Sequence, residues 1–208
     1  MRNCLVRLAT CLVVLGLSGQ SIAAEPAQRA AIAEQKAEVL EQEASSQGNG
    51  EIPSVAEQIT PPGAQAVDPA GEAPLDDAIT CLARTIYWEA RGEHARDMES
   101  VANVVMNRLG YEGFPDTVCA VVRQGSEQGN CQFSWWCDGR SDSAQEEVSY
   151  ELAKEIARKA LNQQLKDRTG GALYFHHRGV SPGWADEFIV TLEEGDFVFY
   201  RPGAGEAR

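Results

Sequence analysis

Between Asp76 and Gly92 the chain carries an apolar helical pattern with its own start and stop signals, and any fold has to be built around it. Ile79, Leu82, Ala83, Ile86 and Ala90 recur at the helical period, Asp76 or Asp77 is placed to cap the first turn, and Gly92 suits the C-terminal stop. On this helix Thr85, Glu89 and Glu93 are spaced by four, so they line the face beside the apolar one. Glu89 thus falls at the border of core and solvent. A carboxyl group there can be partly desolvated and still face a cleft, and desolvation raises its pKa toward the range in which it donates a proton. The competing reading is a surface ion pair with Arg84, Arg91 or Arg96, as most helix glutamates make.

The pattern after Gly92 predicts a helical domain that ends in strands. A second helix over about residues 97–109 buries Met98, Val101, Val104, Val105 and Leu109 and stops at Gly110. Phe114-Pro115-Asp116-Thr117 opens a short helix through Val122, and a long amphipathic helix over 145–165 turns Val148, Leu152, Ile156 and Leu161 inward. The period then changes to two, with strands expected at 172–175, 188–192 and 196–200. The fold class is α+β, a helical domain with a small C-terminal antiparallel sheet.

Residues 1–24 read as a secretory signal: Met1, Arg2 and Arg7, an apolar run through Leu17, then small residues to Ala24. An exported protein of the periplasm or cell envelope is expected, with no membrane span once the signal is removed. Residues 25–75 are rich in Ala, Gln and Pro, hold nine acids and two bases, and read as a flexible tether, helical at most over its first part and a possible handle for a protein partner. Residues 76–208 read as one folded domain, the candidate catalytic one if Glu89 is an acid. The net charge of −13 argues against nucleic acid, which needs clustered Lys and Arg, and says nothing against neutral glycans. Cys4 and Cys11 leave with the signal, and the remaining Cys81, Cys119, Cys131 and Cys137 suit two disulfides. Four cysteines allow three connectivities; the favoured one joins Cys81 to Cys119 and Cys131 to Cys137. Neither a CxxC pair nor enough histidines support a zinc site, and no cofactor is expected.

Six blocks in order, YWEARGE, VANVVMNR, FPDTVCAVV, CQFSWWCDG, GGALYFHH and GDFVFYRPG, resemble the SleB-type family of cell wall hydrolases, named for spore cortex-lytic enzymes, over roughly residues 77–203. The resemblance implies a lysozyme-like, lytic-transglycosylase-like fold and cleavage of peptidoglycan between muramic acid and glucosamine. It places the catalytic acid on Glu89, with one carboxylate closing a 1,6-anhydro ring and no second carboxylate at hydrolytic spacing. Glu93 would brace the loop after Gly92 or bind polar groups. The loop from Cys131 to Cys137 joins amide, hydroxyl and aromatic groups, as sugar sites do, and Gln132, Phe133, Ser134 and Trp135 are its candidates for substrate binding, with core packing as the alternative for either indole. Strand alternation pairs Tyr174 with His176 and Phe175 with His177, so the histidines point apart; Tyr174 is the better candidate to orient sugar, with His176 beside it. Where the family often has Gly-Asn-His-x-Phe-Tyr, this chain has Gly195-Asp196-Phe197-Val198-Phe199-Tyr200. The main alternative is a non-catalytic peptidoglycan-binding or envelope scaffold module on a degenerate hydrolase fold.

Overall fold

The computed structural model describes residues 25–47 and 52–203; the expected signal, with Cys4 and Cys11, lies outside them. Among the described residues six α-helices come first: α1 (Pro26–Gln47), α2 (Pro61–Ala66), α3 (Ala78–Ala90), α4 (Ala95–Arg108), α5 (Val118–Arg123) and α6 (Glu147–Leu161). Three antiparallel strands follow, β1 (Tyr174–His177), β2 (Ile189–Glu194) and β3 (Phe197–Arg201), in the order β1-β3-β2. The predicted α+β class, with helices leading and a small C-terminal sheet, is what the chain forms.

The helix predicted around Glu89 is α3, and it is the hub. Every residue from Ala78 to Tyr87 is buried, and α1, α4, α5 and α6 all pack against it. Its start is fixed by Asp77, whose Oδ1 accepts from the Thr80 amide at 2.9 Å. Beyond Ala90, Arg91 is extended and Gly92 turns the chain at φ 89°, a left-handed conformation that favours glycine. α3 therefore stops one residue after Glu89. The Cys81–Cys119 disulfide ties α3 to α5 with a Cα separation of 5.3 Å.

In the sheet, β3 is central and turns Phe197 and Phe199 into the core. Tyr174 of β1 lies opposite Tyr200, and His177 lies opposite Phe197. Among the described residues no helix is long and apolar enough to cross a membrane.

Two expectations are corrected. The described part of residues 25–75 is not a loose tether: α1 buries Ala33, Ala37, Leu40 and Ala44, and the following segment buries Ile59, Ala64, Val67 and Leu75. The stripe on α1 is nearly all alanine, so it looks too weak to fold, yet small side chains let the helix lie close and polar groups add to the seam. Lys36 Nζ donates to the Ala56 and Gln58 carbonyls at 2.7 and 2.8 Å, and Asn162 exchanges two 2.9 Å hydrogen bonds with the Ile59 backbone. The second correction concerns α6. Val148 and Leu152, expected inward, are 81% and 39% exposed, while Tyr150, Ala153, Lys154 and Ala157 join Ile156 and Leu161 inside. The inward face is chosen by the N-terminal segment: the Tyr150 hydroxyl donates to Asp68 at 2.6 Å, and Lys154 Nζ donates to the Gln65 carbonyl at 3.1 Å.

Candidate active site

The end of α3, the end of α4, the loop at 130–132, strand β1 and the segment carrying Trp184 and Phe188 enclose a cleft of about 570 Å³. Glu89 reaches it from the last turn of α3 and remains partly exposed there. The competing ion pairs are spoken for: Arg84 binds Asp68 at 2.7 Å, Arg91 binds Glu146 at 3.0 Å, and Arg96 lies 4.0 Å from Glu194. Among the described residues, no hydrogen bond or salt bridge within 4.0 Å holds the Glu89 carboxyl. Burial pushes its pKa from 4.5 up to about 7, while the positive charge of Arg108 pulls the other way. A carboxyl group so placed is protonated in part at neutral pH and faces open space, as a general acid must.

Arg108, the last residue of α4, stands beside it and is 3% exposed. Its Nε donates to the Leu173 carbonyl at 2.7 Å, and its guanidinium carbon lies 5.1 Å from the ring centre of Phe133, 5.3 Å from Phe114 and 5.6 Å from Tyr174. Burial lowers its pKa to about 10, so it stays cationic at neutral pH. Among the described residues its Nη1 has no hydrogen-bond partner.

The opposite wall is aromatic. Tyr174 stacks on Phe188 with ring centres 4.7 Å apart and 18° between planes, and Trp184 lies 5.8 Å from both. His176 is fixed at both nitrogens: Nδ1 lies 2.8 Å from the His177 carbonyl, which can only accept, and Nε2 lies 2.8 Å from the Tyr200 hydroxyl. In the neutral ring Nδ1 therefore donates and Nε2 accepts. Such a wall offers flat faces to the C–H surface of a sugar and a few oriented polar groups to its hydroxyls.

The structure thus gathers Glu89, Gln132, Tyr174 and His176 around one cleft. It does not bring the other sequence candidates there. Phe133 and Trp135 are 1% and 5% exposed and face the core, where Phe133 supports the underside of Arg108. Ser134 is exposed but outside the cleft lining, and Glu93 sits past the end of α3, its amide donating to the Ala90 carbonyl at 3.2 Å. The cysteines join as favoured, Cys81 to Cys119 and Cys131 to Cys137, the second closing the loop that carries Gln132. Among the described residues no three His, Cys, Asp or Glu side chains converge as a metal ion would require.

Sequence reading passed over Arg108, Trp184 and Phe188. Arg108 had a usable signal: it follows Val101, Val104 and Val105 on the apolar face of α4, where a charged side chain demands an explanation. Trp184 follows the turn-like Ser181-Pro182-Gly183, and nothing local separates a cleft indole there from a core one.

Residues 92–200 match the family described as Cell Wall Hydrolase. The matched stretch takes in Arg108, Gln132, Tyr174 and His176 and begins three residues after Glu89. The spore cortex-lytic enzyme of Halalkalibacterium halodurans is 34% identical over 112 residues, covering 52% of this chain and 30% of that protein. That of Bacillus cereus is 31% identical over 99 residues, covering 47% and 33%. The chain therefore spans about a third of the length of these curated relatives. Among solved structures, the catalytic domain of the Bacillus cereus SleB protein aligns at 26% identity and a TM-score of 0.49, covering 60% of this chain and 89% of that one. The catalytic domain of the germination-specific lytic transglycosylase SleB from Bacillus anthracis aligns with the same identity and TM-score, covering 63% and 98%. With more than half of its length matched, this chain belongs to the cell wall hydrolase family.

Proposed function

We propose that this chain is an exported glycosidase that cleaves peptidoglycan between muramic acid and glucosamine, and that it does so as a lytic transglycosylase with Glu89 as its one catalytic carboxyl group. The observation that carries the reading is the placement of Glu89: half-sheltered, without an ion-pair partner among the described residues, raised to about 7, and opposite an aromatic wall. The Glu89 proton goes to the glycosidic oxygen, and the bond from that oxygen to the muramoyl C1 breaks with its electron pair leaving on the oxygen. The muramoyl C6 hydroxyl oxygen then bonds to C1 and its proton passes to the Glu89 carboxylate, which restores the acid and closes the 1,6-anhydro ring. Tyr174, Trp184 and Phe188 hold the sugar face, while Gln132 meets its polar groups and His176, held at both ring nitrogens, fixes the edge of that wall.

The test is a digest of purified sacculi read by mass spectrometry. Wild type should release anhydro-muropeptides, and Glu89→Gln should release them at least about a hundredfold more slowly while still sedimenting with sacculi. Reducing ends alone would replace transglycosylation with hydrolysis at the same bond. Wild-type protein that binds sacculi and never cuts them would leave only the scaffold reading.

A further inference from the structure

We propose that Arg108 is a positioning residue for this reaction: a fixed cation that receives the carboxylate left on Glu89 when its proton is given to the substrate. The inference rests on the glycosidase reading for its chemistry, and on the cleft geometry for its placement.

A guanidinium buried to this degree normally has a carboxylate in contact, because an unpaired internal charge is costly. Arg84 in the same molecule shows the usual solution, with Asp68 at 2.7 Å. Arg108 departs from it. Among the described residues no salt bridge reaches it, only Nε is hydrogen-bonded, and three aromatic rings hold the plane. The free Nη1 is left in the group that lines the cleft with Glu89. A rigid cation with an unused donor, beside an acid that becomes an anion only during turnover, is paired at the moment the proton leaves.

The charge count follows the same path. Before transfer, neutral Glu89 and Arg108 together carry +1; after it, carboxylate and guanidinium sum to zero while the sugar takes up positive charge. Arg108 thus makes Glu89 a stronger acid than burial alone would leave it, in line with the opposing effects of burial and Arg108 on the Glu89 pKa. The titratable groups that face the cleft are Glu89 of α3, Arg108 of α4, and Tyr174, His176 and His177 of β1. Of these, Arg108 is the one that stays cationic across the neutral range whatever the histidines do.

The test reads the Glu89 carboxyl itself, by carbon NMR of the full chain across pH. In Arg108→Met the Glu89 midpoint should rise by about one pH unit, and in Arg108→Lys, which keeps the charge, by less than half as much. An unmoved midpoint in folded Arg108→Met, or equal shifts in the two variants, overturns the proposal. Should Arg108→Met not fold, wild type still decides: the Arg108 guanidinium nitrogen signals should titrate with the Glu89 midpoint, and that step should vanish in Glu89→Gln. Signals that stay flat through the midpoint overturn it. In sacculus digestion Arg108→Met should lower kcat roughly tenfold or more with little change in KM, and Arg108→Lys should recover part of it. A raised KM at unchanged kcat would make Arg108 a substrate-binding group and end the proposal. Wild type that never cuts glycan would end the glycosidase reading, while the titration coupling still reports on Arg108.

Discussion

A carboxyl group that titrates near 7 in a helical last turn has consequences for both activity and stability. Glu89 must be protonated to give its proton away, so glycan cleavage should decline as pH rises through about 7. Glu89→Gln keeps the shape and cannot donate, and a loss of about 10²–10⁴-fold is expected in sacculus digestion. Stability follows the same pH trend. The folded pKa lies above the unfolded one, so the fold binds the proton more tightly and loses stability as pH rises from about 4.5 to about 7. Glu89→Gln removes that penalty. Above pH 7 it should unfold at higher denaturant than wild type, by about 1–3 kcal/mol given the partial exposure of the side chain, and below pH 4.5 the two should coincide. Equal stability at both ends of this range would show that Glu89 is better solvated than the cleft suggests.

At the scale of elements, the junction of α3, α6 and the segment between α2 and α3 is organised by buried Asp68. Burial would raise its pKa, but hydrogen bonds from Tyr150, the Ala73 amide and Arg84, with the Arg84 charge, outweigh this and hold the carboxyl below its usual value. Its contribution is therefore present above the unfolded pKa and is lost as pH falls through the folded one. Asp68→Asn leaves Arg84 buried at 2% exposure without its anion, and a loss of about 3–5 kcal/mol is expected at pH 7, shrinking toward acid pH. Chemical denaturation at pH 7 and pH 3 checks both the size and the trend. The same junction explains what sequence made legible. α3 and α4 could be read because their stripes of Ile, Leu, Val and Met follow the helical period, and the strands because their period is two. The inward face of α6 could not, because its buried positions include Tyr150 and Lys154, whose polar ends meet Asp68 and the Gln65 and Val67 carbonyls, all brought from the N-terminal segment. In the site, Glu89 was readable from its place beside the apolar stripe of α3. Phe133 was placed at the cleft by the family resemblance; its ring lies in the core instead, with the Arg108 guanidinium carbon 5.1 Å from its centre.

For the whole molecule, the question is where the folding unit begins. A boundary near Leu75 follows from the scarcity of large apolar residues before it, yet Leu40, Ile59, Val67 and Leu75 are each buried against the domain. Each such side chain contributes about 1.5–3 kcal/mol on burial, and a domain of this size is stable by only about 5–15 kcal/mol. The N-terminal segment also supplies Asp68 to Arg84, and Glu41, whose carboxylate accepts from the Val118 amide at 2.9 Å at the start of α5. α1 approaches so closely that a Cβ on Gly110, at the end of α4, would meet the Ser45 carbonyl. Removing residues 25–75 would expose the face of α3 that α1 covers, strand two buried polar groups and free the loop after α4, which positions Arg108. The truncated chain 76–208 should therefore fail to give a cooperative thermal transition, and should lose activity on soluble glycan together with its fold. A truncated chain that melts cooperatively within a few degrees of the full one, and still cuts glycan, would restore the boundary to Leu75 and make the packing of α1 an accessory to the domain.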